Sequence, residues 1–169
     1  MTRLVATLII AALAACAPTP SEGYSFGAAH DDSIRSVAVP IFDNETRERG
    51  LELTLTEAII KEIKRRTPWS VTRRAGADTT LEGTLEGISL RQLSQTPGVG
   101  LVQEQGVTLT TRFQWRDNRT GDTLVGRTDF RASATFTPQR PVSERLEHAQ
   151  RQAVDELARD IVSALRSGW

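Results

Sequence analysis

Two kinds of side chain in this sequence could do chemistry: a single thiol and a set of guanidinium groups. The thiol is Cys16, the only cysteine in 169 residues. It closes the run Leu13-Ala14-Ala15-Cys16 behind an apolar stretch. The small side chains of Ala14 and Ala15 allow a peptidase close to the bond before Cys16. The thiol itself is a soft nucleophile able to accept a diacylglyceryl group. The guanidinium groups are Arg112, Arg116, Arg127 and Arg131, in a stretch of alternating polar and apolar residues. Planar guanidinium forks bind phosphate oxygens bidentately, so arginines gathered on one sheet face would suit a phosphate ligand. Glu82, Glu86 and Asp129 fall in neighbouring alternating stretches and could instead neutralise them, leaving a solvated surface.

Catalytic chemistry finds little support. His30 and His148 are far apart, and no Gly-x-Ser-x-Gly, Ser-x-x-Lys or His-x-x-x-His motif occurs. Gly98 and Gly100 fail the dinucleotide fingerprint because no helix pattern follows them. One cysteine makes neither a disulfide nor a thiolate metal site. The carboxylates are scattered and read as solvated or paired groups. The expectation is a protein that is not an enzyme, with no metal and no cofactor.

Before Cys16, Arg3 precedes the apolar segment from Leu4 to Ala15. As a helix that segment covers only about 18 Å, against roughly 30 Å of bilayer core. It therefore reads as a cleaved signal over residues 1–15. The pattern resembles a lipobox, which implies cleavage before Cys16 and acylation of Cys16. An ordinary secretory signal with a chance cysteine is the plainer alternative. Basic and acidic residues balance, 21 against 21, which argues against a general nucleic-acid binder. The mature chain is long enough for one domain held by packing alone.

The remaining chain divides into a tether over residues 16–33 and a single domain over 34–169. The tether holds prolines, glycines and acidic groups, with Tyr24 and Phe26 expected to dock on the body. The β-branched run Ile34 to Phe42 predicts a first strand flanked on both sides. A helix follows with the stripe Leu51, Leu55, Ala58, Ile59 and Ile63, a capping box at Thr54 to Glu57, and a stop at Pro68. Strands are predicted at 69–73, 80–93, 103–117 and 123–136, with a loop over 96–100. In the second of these, Leu81, Gly83, Leu85 and Gly87 share one face. The last helix runs from Val142 to Ser167 on the stripe Leu146, Ala149, Ala153, Leu157, Ile161 and Ala164. The order β-α-β-β-β-β-α gives an α/β (α+β) two-layer sandwich, two helices packed on one face of a small mixed β-sheet.

Asp117 to Asp122 is a turn signal, so the last two strands form a hairpin. With Asn118 to Gly121 as the loop, Trp115 faces Leu124, Phe113 faces Gly126 and Leu109 faces Phe130, which places the apolar partners together. The other face then carries Thr110, Arg112, Gln114 and Arg116, with Val125, Arg127, Asp129 and Arg131 across from them. Arg112 sits opposite Arg127 in this register, with Arg116 and Arg131 nearby.

Several segments carry a resemblance. Gly23-Tyr24-Ser25-Phe26, Ile34 to Asn44, Glu45-Thr46, Arg49 to Glu52, Leu55 to Ile63 and Arg66-Thr67-Pro68 together resemble the lipopolysaccharide-assembly lipoprotein family, LptE-like proteins. The resemblance implies a sheet with two helices seated inside a large outer-membrane β-barrel translocon of the LptD type. It implies help in folding and plugging that barrel, and binding of lipopolysaccharide during delivery to the cell surface. In that family, binding involves basic groups near the tip of the long strands and on the strand after it. Ser94 to Gln105 contains no basic residue, so Arg91 is the nearest candidate at the tip, and the strand position maps to Arg127. The candidate lipopolysaccharide ligands are thus Arg127, Arg112, Arg131 and Arg91. Ala17, in place of Asp after the cysteine, implies the outer membrane, with the domain facing the periplasm on a lipid anchor. Val37 to Asn44 before a helix also resembles lipoproteins that activate peptidoglycan synthases or form secretion channels, which would make the chain a protein-binding module.

Overall fold

The computed structural model describes residues 34–95, 102–138 and 142–167. Cys16, the leader, the tether with Tyr24 and Phe26, and the loop over 96–100 lie outside the described residues. In chain order the elements are β1 (Ser36–Ala38), β2 (Asp43–Asn44), α1 (Leu51–Arg66), β3 (Ser70–Val71), a 3-10 turn (Arg74–Gly76), β4 (Thr79–Gln95), β5 (Val102–Asp117), β6 (Thr123–Phe136) and α2 (Val142–Ser167).

The strands form one sheet in the order β3-β1-β4-β5-β6, with β2 also paired to β4. β1 is flanked by β3 and β4, both parallel to it, as its β-branched composition predicts. The expected first strand is nevertheless two short ones. Pro40 has no N–H to give a ladder, and the chain leaves the sheet around it. Phe42 N–H then donates to the buried Thr56 hydroxyl at 3.0 Å. This tucks the Phe42 ring into the core, against the backbone of Gly83.

α1 starts at Gly50, whose φ of 91° suits only glycine at low cost, and ends where Thr67 N–H reaches the Ile63 carbonyl. The capping box expected at Thr54 to Glu57 is not used. Both threonines lie inside the helix, and their hydroxyls donate to the carbonyls of Gly50 and Glu52. Glu52 reaches back instead, its carboxylate accepting Gly50 N–H at 2.9 Å.

α2 has the bounds and the stripe that its periodicity predicts, with Ala149, Ala153, Leu157 and Ile161 fully buried. One hydrophobic cluster joins Leu55, Ile59 and Ile63 of α1 and Leu157, Ile161 and Leu165 of α2 to Leu81, Leu85, Leu109, Phe113 and Trp115 of the sheet. Both helices therefore cover the same face, and the fold is the two-layer sandwich. Trp69 and Trp115 pack at 4.9 Å between ring centres in that layer, and Phe113 meets Phe130 edge-on at 5.3 Å.

Bulges change the hairpin register. Trp115 faces Val125, Phe113 faces Arg127 and Leu109 faces Ala132, so each expected pairing is displaced. Val125, expected on the polar face, is buried on the helix side. Between Arg127 and Phe130 the edge strand carries one residue more than β5 does, and Asp129 adopts a φ of 55° to take up the excess. β4 has a similar shift between Leu85 and Gly87, where Glu86 is the extra residue. Gly87 pairs with Thr110 while Leu85 pairs with Thr111, so Gly87 is not on the face of Leu85 as expected.

Candidate functional site

The helices leave the other face of the sheet open; Arg112 and Arg131 stand there, whereas Arg127 of the edge strand pairs with Phe113, whose ring is on the covered face. Arg112 on β5 pairs with Thr84 of β4, beside the Glu86 bulge. Its guanidinium spans two carboxylates, Glu86 at 2.6 Å and Glu45 at 2.7 Å. The bulge supplies Glu86. Glu45 is fixed by its backbone N–H, which donates to the Leu85 carbonyl at 2.9 Å. Hydrogen bonding and charge from Arg112 hold the Glu45 carboxyl below its ordinary range. The same bonds, to Glu45 and Glu86, hold Arg112 firmly protonated.

The other candidates divide in two. Arg131 faces Thr110 and is paired with Asp129 at 2.6 Å. Arg127 makes only a bond to the Gly126 carbonyl, at 2.9 Å, and has no carboxylate partner among the described residues. Arg91 is exposed on β4 opposite Gly106, about 20 Å along β5 from Arg112, and likewise has no carboxylate partner among the described residues. Glu82, one of the acids expected to neutralise the hairpin, is engaged by Arg74 at 2.6 Å.

A cavity of about 580 Å³ brings part of this set together. Arg112, Arg127 and Arg74 line it, with Gln114, Glu82 and the exposed Ile41. Arg131 and Arg91 do not line it. Arg112 and Arg127 are not directly opposed, as the expected register had them: Arg127 pairs with Phe113 and so falls in the register of the covered face, yet both residues line the cavity. Arg74 escaped the sequence reading because it sits in a 3-10 turn, where no periodicity assigns a side chain to a face. Its one signal was the Arg73-Arg74 pair just after a short strand. Chemically, the cavity lining offers one guanidinium fork without a carboxylate, two more that are engaged, the exposed carboxylate of Asp43 and the apolar side chain of Ile41. That combination suits an amphiphilic anion. Among the described residues no cluster of three or more His, Cys, Asp or Glu side chains could hold a metal, and no helix is long and apolar enough to cross a membrane.

No curated protein matches the sequence. Among solved structures, a hypothetical protein from Chlamydia trachomatis is similar at 8% identity with a TM-score of 0.55, over 79% of this chain and 96% of that one. A protein from Xanthomonas campestris is similar at 10% identity with a TM-score of 0.54, over 82% of this chain and 90% of that one. A minor lipoprotein from Acinetobacter baumannii has 15% identity and a TM-score of 0.49, over 80% of this chain and 94% of that one. The first two establish a shared fold. The lipopolysaccharide-assembly family model, LptE, matches residues 34–165, the whole sandwich from two residues before β1 to the last turn of α2. With its fold and nearly all its described length accounted for by that model, the chain belongs to the LptE family of lipopolysaccharide-assembly proteins.

Proposed function

We propose that this chain is an outer-membrane lipoprotein. Residues 1–15 are removed, Cys16 is acylated, and the domain faces the periplasm. There it seats in a large β-barrel lipopolysaccharide translocon of the LptD type, helps assemble it, and binds lipopolysaccharide during transfer. Family membership and the leader pattern support the assembly role and the anchor. The observation that carries the ligand reading is Arg127. It is a guanidinium without a carboxylate partner among the described residues, in a cavity with two further arginines. On this reading Arg127 binds a phosphate of the lipid A end, and Arg112 adds charge by exchanging Glu45 for the ligand. Arg131 and Arg91 act from outside the cavity. The chemistry is binding and positioning, with no bond made or broken.

A charge-assisted contact to phosphate is worth roughly 1.5–3 kcal/mol, or about one to two decades of affinity. Titration of purified Arg127→Ala with lipopolysaccharide tests the reading. The variant is expected to bind less tightly by that amount while still copurifying with the barrel, and Arg127→Lys to recover part of the loss. Affinity equal to the parent's, with the fold intact, would remove Arg127 from the site. Copurification with a peptidoglycan synthase and no barrel would replace the translocon reading altogether.

A further inference from the structure

One end of the sandwich gathers cations that the open face does not use. β1 begins there, just after Ile34. α1 ends there too, because a helix joining two parallel strands must run back against them. Ser70 N–H donates to the Arg35 carbonyl at 2.9 Å, which fixes the start of β3 beside the start of β1. Around this end stand Arg35, Lys61, Lys64, Arg65 and Arg66, all exposed.

Among the described residues most acids at this end are engaged elsewhere, Asp117 of the hairpin turn by Arg119 at 3.3 Å, with Asp122 left exposed beside it. Glu62 alone serves two, at 2.7 Å from Arg65 and 2.9 Å from Arg66. The Asp78 carboxylate is taken by the backbone N–H groups of Arg35 and Ser36 and by the Ser36 hydroxyl. From α2, Asp160 faces Arg66, while Glu156 is paired with Arg159. The ammonium groups of Lys61 and Lys64 and the guanidinium of Arg35 have no partner among the described residues.

This is also the end from which the chain leads back to Cys16. Residues 17–33 can span at most about 60 Å fully extended, so the anchored cysteine keeps Ile34 within that distance of the bilayer. Resting on the anchoring at Cys16 proposed above, we propose that this basic end faces the membrane and that Arg35, Lys61, Lys64 and Arg65 settle on anionic lipid headgroups. Acyl chains already hold the protein, so the contact need not be strong. Tethering raises the local concentration of headgroups to a level at which a weak electrostatic contact is occupied. Its effect is to orient the sandwich, with the foot of β1 toward the lipid and the tip of β4 and β5 away from it.

The experiment uses the chain from Ala17 onward, which keeps every described element and the acidic residues before Ile34 but has no acyl group. It is sedimented with vesicles of equal parts phosphatidylglycerol and phosphatidylcholine, and with phosphatidylcholine alone. Binding to the anionic vesicles only, released at about 0.5 M salt, is expected. Each basic group removed should weaken binding about fivefold, so Arg35→Ala with Lys64→Ala should weaken it about 25-fold. Arg47→Ala with Arg49→Ala, in the turn before α1 at the other end, removes the same charge and should leave binding unchanged. Equal sedimentation with both vesicle types, or equal loss in the two double variants, overturns the proposal. Either result leaves acylation of Cys16 and the Arg127 site standing, since those are read by mass spectrometry and by lipopolysaccharide titration.

Discussion

At position 83 the Phe42 ring fills the space a side chain would need: a Cβ there would lie 2.2 Å from Cε1 of Phe42. The ring is buried and its backbone is pinned to Thr56, so it cannot swing aside freely. Gly83→Ala should therefore cost about 1–3 kcal/mol, read as a lower urea midpoint, and an unchanged midpoint would show that the ring yields. Asp78 acts by charge. The Ser36 hydroxyl, followed by the Arg35 N–H, holds its carboxyl below the ordinary 3.8. A carboxyl lowered by folding adds stability above its unfolded value, and that stability fades as pH falls through the folded value. The melting temperature should thus drop on acidification below about pH 4, and Asp78→Asn should flatten that limb. Calorimetry across pH 2–6 checks it; parallel curves for parent and variant would mean the group contributes nothing. Arg112 and Arg131 of the open face were legible in the alternation of β5 and β6; Arg127, expected beside them, is shifted into the register of Phe113. Which of these arginines is paired was not legible. Glu45 and Arg74 sit in turns, and no pattern in the sequence announces that a turn residue will reach a strand.

Long periodic segments are legible in the sequence. β6 and α2 have the bounds their patterns predict, because fourteen residues of alternation or twenty-six of helical stripe outweigh any local ambiguity. Short elements are not. The first strand broke at Pro40, and β3 shrank to two residues with a 3-10 turn after it. The bulges at Glu86 and near Asp129 were invisible for a physical reason: an extra residue flips the face of all that follows, yet leaves the alternation on either side intact. α2 carries the safest energetic expectation. Leu157 is wholly buried mid-stripe, between α1 and the sheet. Leu157→Ala should cost about 2–5 kcal/mol, the upper end applying if the site cannot collapse. Chemical denaturation measures it, and a parent-like value would mean that the helix is not docked in solution.

For the molecule as a whole, the proposed anchor makes a direct demand on Cys16. Mass spectrometry of the mature protein should find an acylated N-terminal Cys16, and Cys16→Ala should accumulate unprocessed or free of the membrane. A bare thiol on a mature N-terminus would sink the lipoprotein reading. The sheet order has a further consequence, for how the chain reaches its fold. β1 comes first in the sequence but lies between β3 and β4, with Val37 matched to Val71 and to Thr79. A chain emerging N-terminus first thus presents Ser36–Ala38 long before either neighbour exists, and the strand waits with both edges unsatisfied. The β4-β5-β6 meander, joined by short connections, can assemble without it. Closure of the sandwich is then a late insertion of the first strand into a slot formed by later ones, and the interval before that insertion is when the chain is most open to misassembly and to capture by a holding chaperone.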